Sequence, residues 1–184
     1  ADSCLPAVRQ ALEELKRGRM VREGDDGYRI PTPAEDDWEQ QRTALEPRQA
    51  DVNRLHAEVL KGLWQPQPTH NLLGTKQFKA GLFFNGRSLV EGDIAVHLTL
   101  AQAGRQVEEE AEEFRNRSQT ETKSVFWVAA LDEAVGRATK EVYKSKEILA
   151  RKERGAKTKT ETALVAEEKV RLSRHQDEVK RLIK

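Results

Sequence analysis

Apolar residues recur along this chain at two spacings, and each predicts a different element. Lys79-Ala-Gly-Leu-Phe-Phe84 and Ile94-Ala-Val-His-Leu-Thr-Leu-Ala101 are short runs rich in β-branched and aromatic residues, the pattern of strands. Asn85-Gly86-Arg87 and Gly92-Asp93 lie between them as turn signals, so the two runs are expected to pair antiparallel. Val96, Leu98 and Leu100 alternate with His97 and Thr99, giving the second run an apolar and a polar face. Residues 105–117 then read as a helix with Val107, Ala111 and Phe114 on one side and a glutamate run on the other. Val125-Phe-Trp-Val128 follows as a buried strand, with Trp127 in a core or an interface. Strand, helix, strand predicts a crossover that lays this last strand parallel to the Ile94 run. Residues 77–131 thus form a small mixed three-stranded α/β unit, and the rest of the chain is organised around it.

Upstream, Leu5, Val8, Leu12 and Leu15 stand at helical spacing and Gly18 is a natural stop. Asp26-Gly27 favours a tight turn between Met20-Val-Arg-Glu and Tyr28-Arg-Ile30, which predicts a small hairpin. Helix followed by hairpin is the back half of a winged helix, so residues 1–33 read as a partial winged-helix lobe. In that reading Arg9, Lys16, Arg17 and Arg19 are candidate phosphate contacts. The alternative is a lobe used only for packing; Glu13, Glu14, Glu23 and the turn aspartates dilute a basic face and favour it. The helices that precede a wing are not in the sequence, and this points to an excised piece of a longer protein. Pro33 can open a connecting helix over 34–63, which Pro47 must break or kink. Residues 64–76, with Pro66 and Pro68, read as a stiff linker.

Downstream, Leu131, Val135, Ala138, Val142, Ser145 and Leu149 step by four and three, a narrow coiled-coil-like seam. Gly155 and its neighbours break the helix, and Val165, Leu172 and Val179 resume it every seven residues, beside the mixed positions Glu168, His175 and Leu182. Residues 132–184 are therefore expected to be an antiparallel helical hairpin. The fold class is α+β and helix-rich.

Composition narrows the functions. Charged residues make up 34% of the 184 positions and no apolar run reaches the length of a membrane-spanning helix, so no membrane partner is expected. Cys4 is the single cysteine, which excludes an internal disulfide and fits a reducing cytoplasm. Net charge is only +1, so no global field calls for nucleic acid. The distribution is uneven, however. Arg137, Lys140, Lys144, Arg151, Lys152 and Lys157 form a basic stretch that either contacts duplex phosphates or is simply solvated.

Catalytic signals are sparse. Leu72-Leu-Gly-Thr-Lys76 fails as a phosphate loop, because it has one glycine and its threonine precedes the lysine. His97, with Glu91 and Asp93 near it in sequence, could serve acid–base chemistry, but a solvated edge histidine is the plainer reading. His56 is a lone histidine, read as surface or packing. No catalytic residue, metal site or cofactor is assigned.

Three stretches, taken in order, resemble one family. They are Leu12-Glu-Glu-Leu-Lys-Arg-Gly-Arg-Met-Val-Arg-Glu-Gly-Asp-Asp-Gly-Tyr-Arg-Ile30 with Trp38-Glu-Gln-Gln, then Gly92-Asp-Ile-Ala-Val-His-Leu98, then Val125-Phe-Trp-Val128. Together they look like the region downstream of the nucleotide-binding core in the large P-loop ATPases of bacterial phage-exclusion (BREX, phage-growth-limitation) systems. The resemblance implies a non-catalytic assembly or DNA-engaging segment of a cytoplasmic defence ATPase. Its partners would be other regions or subunits of a defence complex, duplex DNA, or further copies of itself. A free-standing winged-helix regulator with a coiled-coil dimerisation tail is the alternative.

Overall fold

Leu5–Arg17 forms helix α1, with Pro6 in its first turn, where a missing N–H costs nothing. The Gly18 N–H closes it on the Glu14 carbonyl at 2.8 Å. Strands β1 (Arg22–Gly24) and β2 (Gly27–Arg29) pair antiparallel, as the turn signal predicts. Helix α2 (Pro33–Thr43) opens on a capping box: Thr32 N–H donates to Glu35 Oε2 at 2.8 Å, and Glu35 N–H returns a bond to Thr32 Oγ1 at 3.4 Å. The single helix expected over 34–63 is broken around Pro47, since α2 ends at Thr43 and α3 (Gln49–Leu63) begins only after the proline. The remaining elements are β3 (Thr69–Leu72), β4 (Lys76–Phe84), β5 (Arg87–Val90), β6 (Ile94–Gln102), α4 (Arg105–Ser118), β7 (Ser124–Leu131), α5 (Glu133–Lys152), a short 3-10 turn and α6 (Lys159–Ile183).

The computed structural model describes residues 4–18, 20–24 and 27–183. They fold as two compact units. The first joins the described residues up to Leu45 with Lys144–Val170; the second joins Glu46–Tyr143 with the described residues from Arg171 onward. Helices α5 and α6 therefore contribute residues to both.

In the first unit, Trp38 and Leu45 are buried with Ile148, Leu149, Leu164 and Val165. Glu168 is buried there too, and its carboxylate is fully engaged. It accepts from Trp38 Nε1 (3.1 Å), Arg42 Nε (2.9 Å) and the Ser145 hydroxyl (2.5 Å).

The second unit holds a five-stranded sheet in the order β3-β4-β6-β7, with β5 also paired to β4. The expected sheet had three strands. The hairpin turn at Asn85-Gly86, both with positive φ, leads into β5 and not into β6. Residues Leu82–Phe84 pair with β5 and with β6, so those two strands lie on opposite edges of β4. The chain crosses β4 at Glu91-Gly92-Asp93, and β6 consequently runs parallel to β4, not antiparallel as expected. The predicted parallel pairing of β6 with β7 is found, with Ala95 opposite Ser124 through Gln102 opposite Leu131. The stretch read as a linker over 64–76 contains β3, and Leu72–Lys76 is a β3–β4 hairpin turn.

One face of the sheet carries Leu82, Phe84 and Leu98, buried with Leu60 of α3. A second cluster gathers Leu55, Ala138, Val142 and Val179 from α3, α5 and α6, so much of the predicted seam is buried. Val125, expected in a buried strand, is 52% exposed, and Trp127, expected in a core or an interface, is 59% exposed, since among the described residues no helix covers the first face at the β7 edge.

Candidate binding cleft at the carboxyl ends of the parallel strands

In open sheets with parallel strands, concave sites form beyond the carboxyl ends of the strands. The second unit has such a cleft of about 970 Å³, lined from β4 by Phe83 and Asn85, from β6 by His97 and Thr99, from α4 by Glu110, Glu113 and Arg117, and from α3 by Asn53 and His56. Leu131, Asp132 and Glu133 close it where β7 passes into α5.

His97 is not the solvated edge residue that alternation suggested. It does point away from the Leu98 face, but α4 covers the opposite face. Because β4, β6 and β7 are in register at Phe83, His97 and Phe126, the imidazole is stacked between two rings, 4.9 Å from Phe83 and 5.0 Å from Phe126. Offset stacking of this kind contributes about 0.5–1.5 kcal/mol per pair beyond area burial. Phe114 of α4 packs on Phe126 at 5.1 Å, and the Arg117 guanidinium lies over Phe126 at 5.0 Å. Arg117 is tied to Glu121 by Nε at 2.9 Å, and Glu121 stands 3.8 Å from His97 Nε2. Burial holds the His97 imidazole below the ordinary histidine range; Arg117 pushes the same way and Glu121 opposes both. The result is a neutral, rigid aromatic wall. It can stack on a planar or apolar group, while the amide and carboxylate side chains around it supply hydrogen bonds.

His56 is packing, one of the two roles its isolation suggested. It is 2% exposed, its Nε2 lies 3.0 Å from Thr139 Oγ1, and burial pushes its pKa down to about 4. In the first unit, Glu35 is held down at about 2, chiefly by Arg29, whose Nη1 donates to Glu35 Oε2 at 2.8 Å and whose Nη2 bonds the other carboxylate oxygen. Both shifts make the fold acid-sensitive, over different windows. A histidine depressed in the folded state leaves the unfolded chain binding more protons, so stability falls from about pH 6.5 toward 4. The Glu35 contribution is present above the unfolded carboxylate range and is lost as pH falls from about 4.5 toward 2. Urea unfolding at pH 7 and pH 5 should show a loss of about 2 kcal/mol in the wild type that is absent in His56→Leu. Equal losses in the two proteins would refute the assignment. Arg29 is half exposed and water screens it, so Arg29→Ala should remove only part of the lower window.

The basic residues singled out in the sequence fall in both units. In the first unit Arg9 and Arg17 are exposed on α1, while Lys16 Nζ lies 3.5 Å from Glu13. Arg19 lies outside the described residues. Lys144 is only 8% exposed, Arg151 stands 3.9 Å from Glu147, Lys152 is 3.4 Å from Asp37, and Lys157 is exposed. In the second unit Arg137 is exposed and Lys140 is bonded to Glu46 at 2.6 Å.

The Phe83–His97–Phe126 ladder escaped sequence reading because it needs the parallel register. Arg117–Glu121 was findable as opposite charges four apart in sequence, although Glu121 lies just beyond the end of α4. Among the described residues, no group of three or more His, Cys, Asp or Glu side chains could hold a metal ion, and no helix is long and apolar enough to cross a membrane. No protein-family model, curated protein or solved structure matches the chain.

Proposed function

We propose that this chain is a non-catalytic assembly segment of a larger cytoplasmic P-loop ATPase of the phage-exclusion kind, docking onto other regions or subunits of its complex. The observation that carries the reading is the apolar stripe of α1. Leu5, Val8 and Leu15 are 61%, 49% and 37% exposed, and Met20 beyond the helix is 64% exposed. A contiguous apolar stripe on a soluble surface marks an interaction site. If Val8 and Leu15 face solvent as their exposure indicates, Val8→Ser with Leu15→Ser should change unfolding free energy by less than about 0.5 kcal/mol. A loss above about 2 kcal/mol would mean that the stripe is packed in solution, and the reading would fall.

Arg9 and Arg17, exposed on the same helix, favour DNA engagement as a second reading. Duplex binding by the purified chain at about 50 and 200 mM salt tests it, since each phosphate contact adds to the salt slope. Binding that weakens steeply with salt, and less steeply after Arg9→Ala and Arg17→Ala, supports DNA contact. Affinity indifferent to salt and to both substitutions sinks it.

A further inference from the structure

We propose that β7 is a dimerisation edge, on which a second copy of this chain adds its own β7 antiparallel and continues the sheet. The inference names one partner within the assembly reading and rests on it, but it uses a surface in the second unit that α1 does not share.

All eight residues of β7, Ser124–Leu131, are paired with β6 on one side, and among the described residues no strand pairs with the other side. Exposed edges of this length are ordinarily blunted by proline, bulges or charges within the strand. Ser-Val-Phe-Trp-Val-Ala-Ala-Leu has no proline and no charge, and its register with β6 is unbroken. On one face it shows Val125 and Trp127, both more than half exposed. Its nearest charges flank it with opposite signs: Lys123 before, Asp132 and Glu133 after.

That asymmetry selects the occupant. A two-fold axis perpendicular to the sheet preserves its faces, so residues brought opposite one another must share a face. Alternation then allows two near-complete overlaps, centred on Trp127 or on Val128. The Val128-centred register places Trp127 across from the partner's Ala129, and Val125 across from the partner's Leu131. Antiparallel pairing also brings the Lys123 end of each strand, in the turn before β7, beside the partner's acidic end, where Asp132 leads into α5 at Glu133. The Trp127-centred register leaves Lys123 opposite an apolar residue instead. Isologous pairing around Val128 therefore satisfies the unpaired backbone groups, covers the exposed indole and matches charge.

Sedimentation equilibrium on the full chain, from about 1 to 200 µM, tests the proposal. A reversible dimer is expected. Trp127→Asp should weaken it at least about tenfold, and Lys123→Glu about fivefold through like charges at both ends. Adding Glu133→Lys to Lys123→Glu should restore the wild-type dissociation constant within about twofold, a rescue that general destabilisation cannot produce. A wild-type monomer throughout the range overturns the proposal. A dimer insensitive to Trp127→Asp also overturns it. So does a monomer whose β7 amides gain exchange protection only with an unrelated extended peptide, since the edge then serves another protein. None of these results touches docking through α1, which the serine substitutions test separately.

Discussion

Replacing Glu168 with alanine is expected to cost the first unit about 3–5 kcal/mol. The carboxylate is 2% exposed and sits among Trp38, Arg42 and Ser145, contributed by α2 and α5. Taking a carboxylate and a guanidinium out of water costs several kcal/mol, which only close pairing and hydrogen bonds offset. Removing Glu168 takes the counter-charge from the Arg42 guanidinium, itself 6% exposed and then left with its 3.4 Å bond to Ser145 Oγ among its contacts, and takes the acceptor from the Trp38 indole N–H. Glu168→Gln keeps the shape and an acceptor but not the charge, so it should recover only part of the loss. Removing both charges, by Arg42→Met with Glu168→Leu, should recover most of it, because apolar packing replaces a buried pair at little net cost. Urea unfolding followed by circular dichroism supplies the energies, and the Trp38 indole N–H resonance reports on the site. Should Glu168→Ala cost less than about 1 kcal/mol, the network would be peripheral, and the first unit would depend on its apolar contacts alone.

That network also marks where sequence reading stops. Glu168 was visible as a polar intrusion into an apolar heptad, at the position where Leu182 sits two repeats later. The intrusion signals a partner but does not name one, since Trp38 and Arg42 lie 130 and 126 residues away in sequence. The buried seam of α5, by contrast, was legible because Val135, Ala138 and Val142 repeat within a single helix. The break at Pro47 was legible too, because a missing N–H acts locally. The sheet was read correctly wherever a helix connects its strands, as from β6 to β7, and wrongly wherever the chain crosses a strand without one. A three-residue crossing gives no periodic signal, and Asn85-Gly86 announces a hairpin without saying which strand follows. His97 was misjudged for a related reason. Alternation showed that it leaves the Leu98 face, but the opposite face is covered only because β6–α4–β7 lays a helix there.

The crossing itself sets up the second large effect. Gly92→Ala is expected to destabilise the second unit by about 2–4 kcal/mol. A Cβ on Gly92 would fall 2.2 Å from the Gly81 nitrogen and 2.6 Å from the Ala80 carbonyl carbon. These are backbone atoms of β4 and cannot rotate aside. The Ala80 carbonyl is held by Trp64 Nε1 at 2.9 Å and Gln67 Nε2 at 3.0 Å. On the far side of the crossing, Asp93 N–H donates to the Lys79 carbonyl at 2.7 Å, and Lys79 N–H returns a bond to Asp93 Oδ2 at 2.8 Å. Relieving the clash means breaking that clasp, and with it the start of β6. Gly136 is the matched control, since a Cβ there meets nothing within 4 Å and the residue lies inside helix α5. Gly136→Ala should therefore stabilise by about 0.5–1 kcal/mol, the ordinary helix preference for alanine over glycine. Opposite signs for one chemical change, read by urea unfolding of the two variants, would separate a steric requirement from glycine's general entropic cost. If Gly92→Ala proves neutral, residues 91–93 do not press on β4 in solution, and the parallel placement of β6 must be held by its pairing with β7 instead.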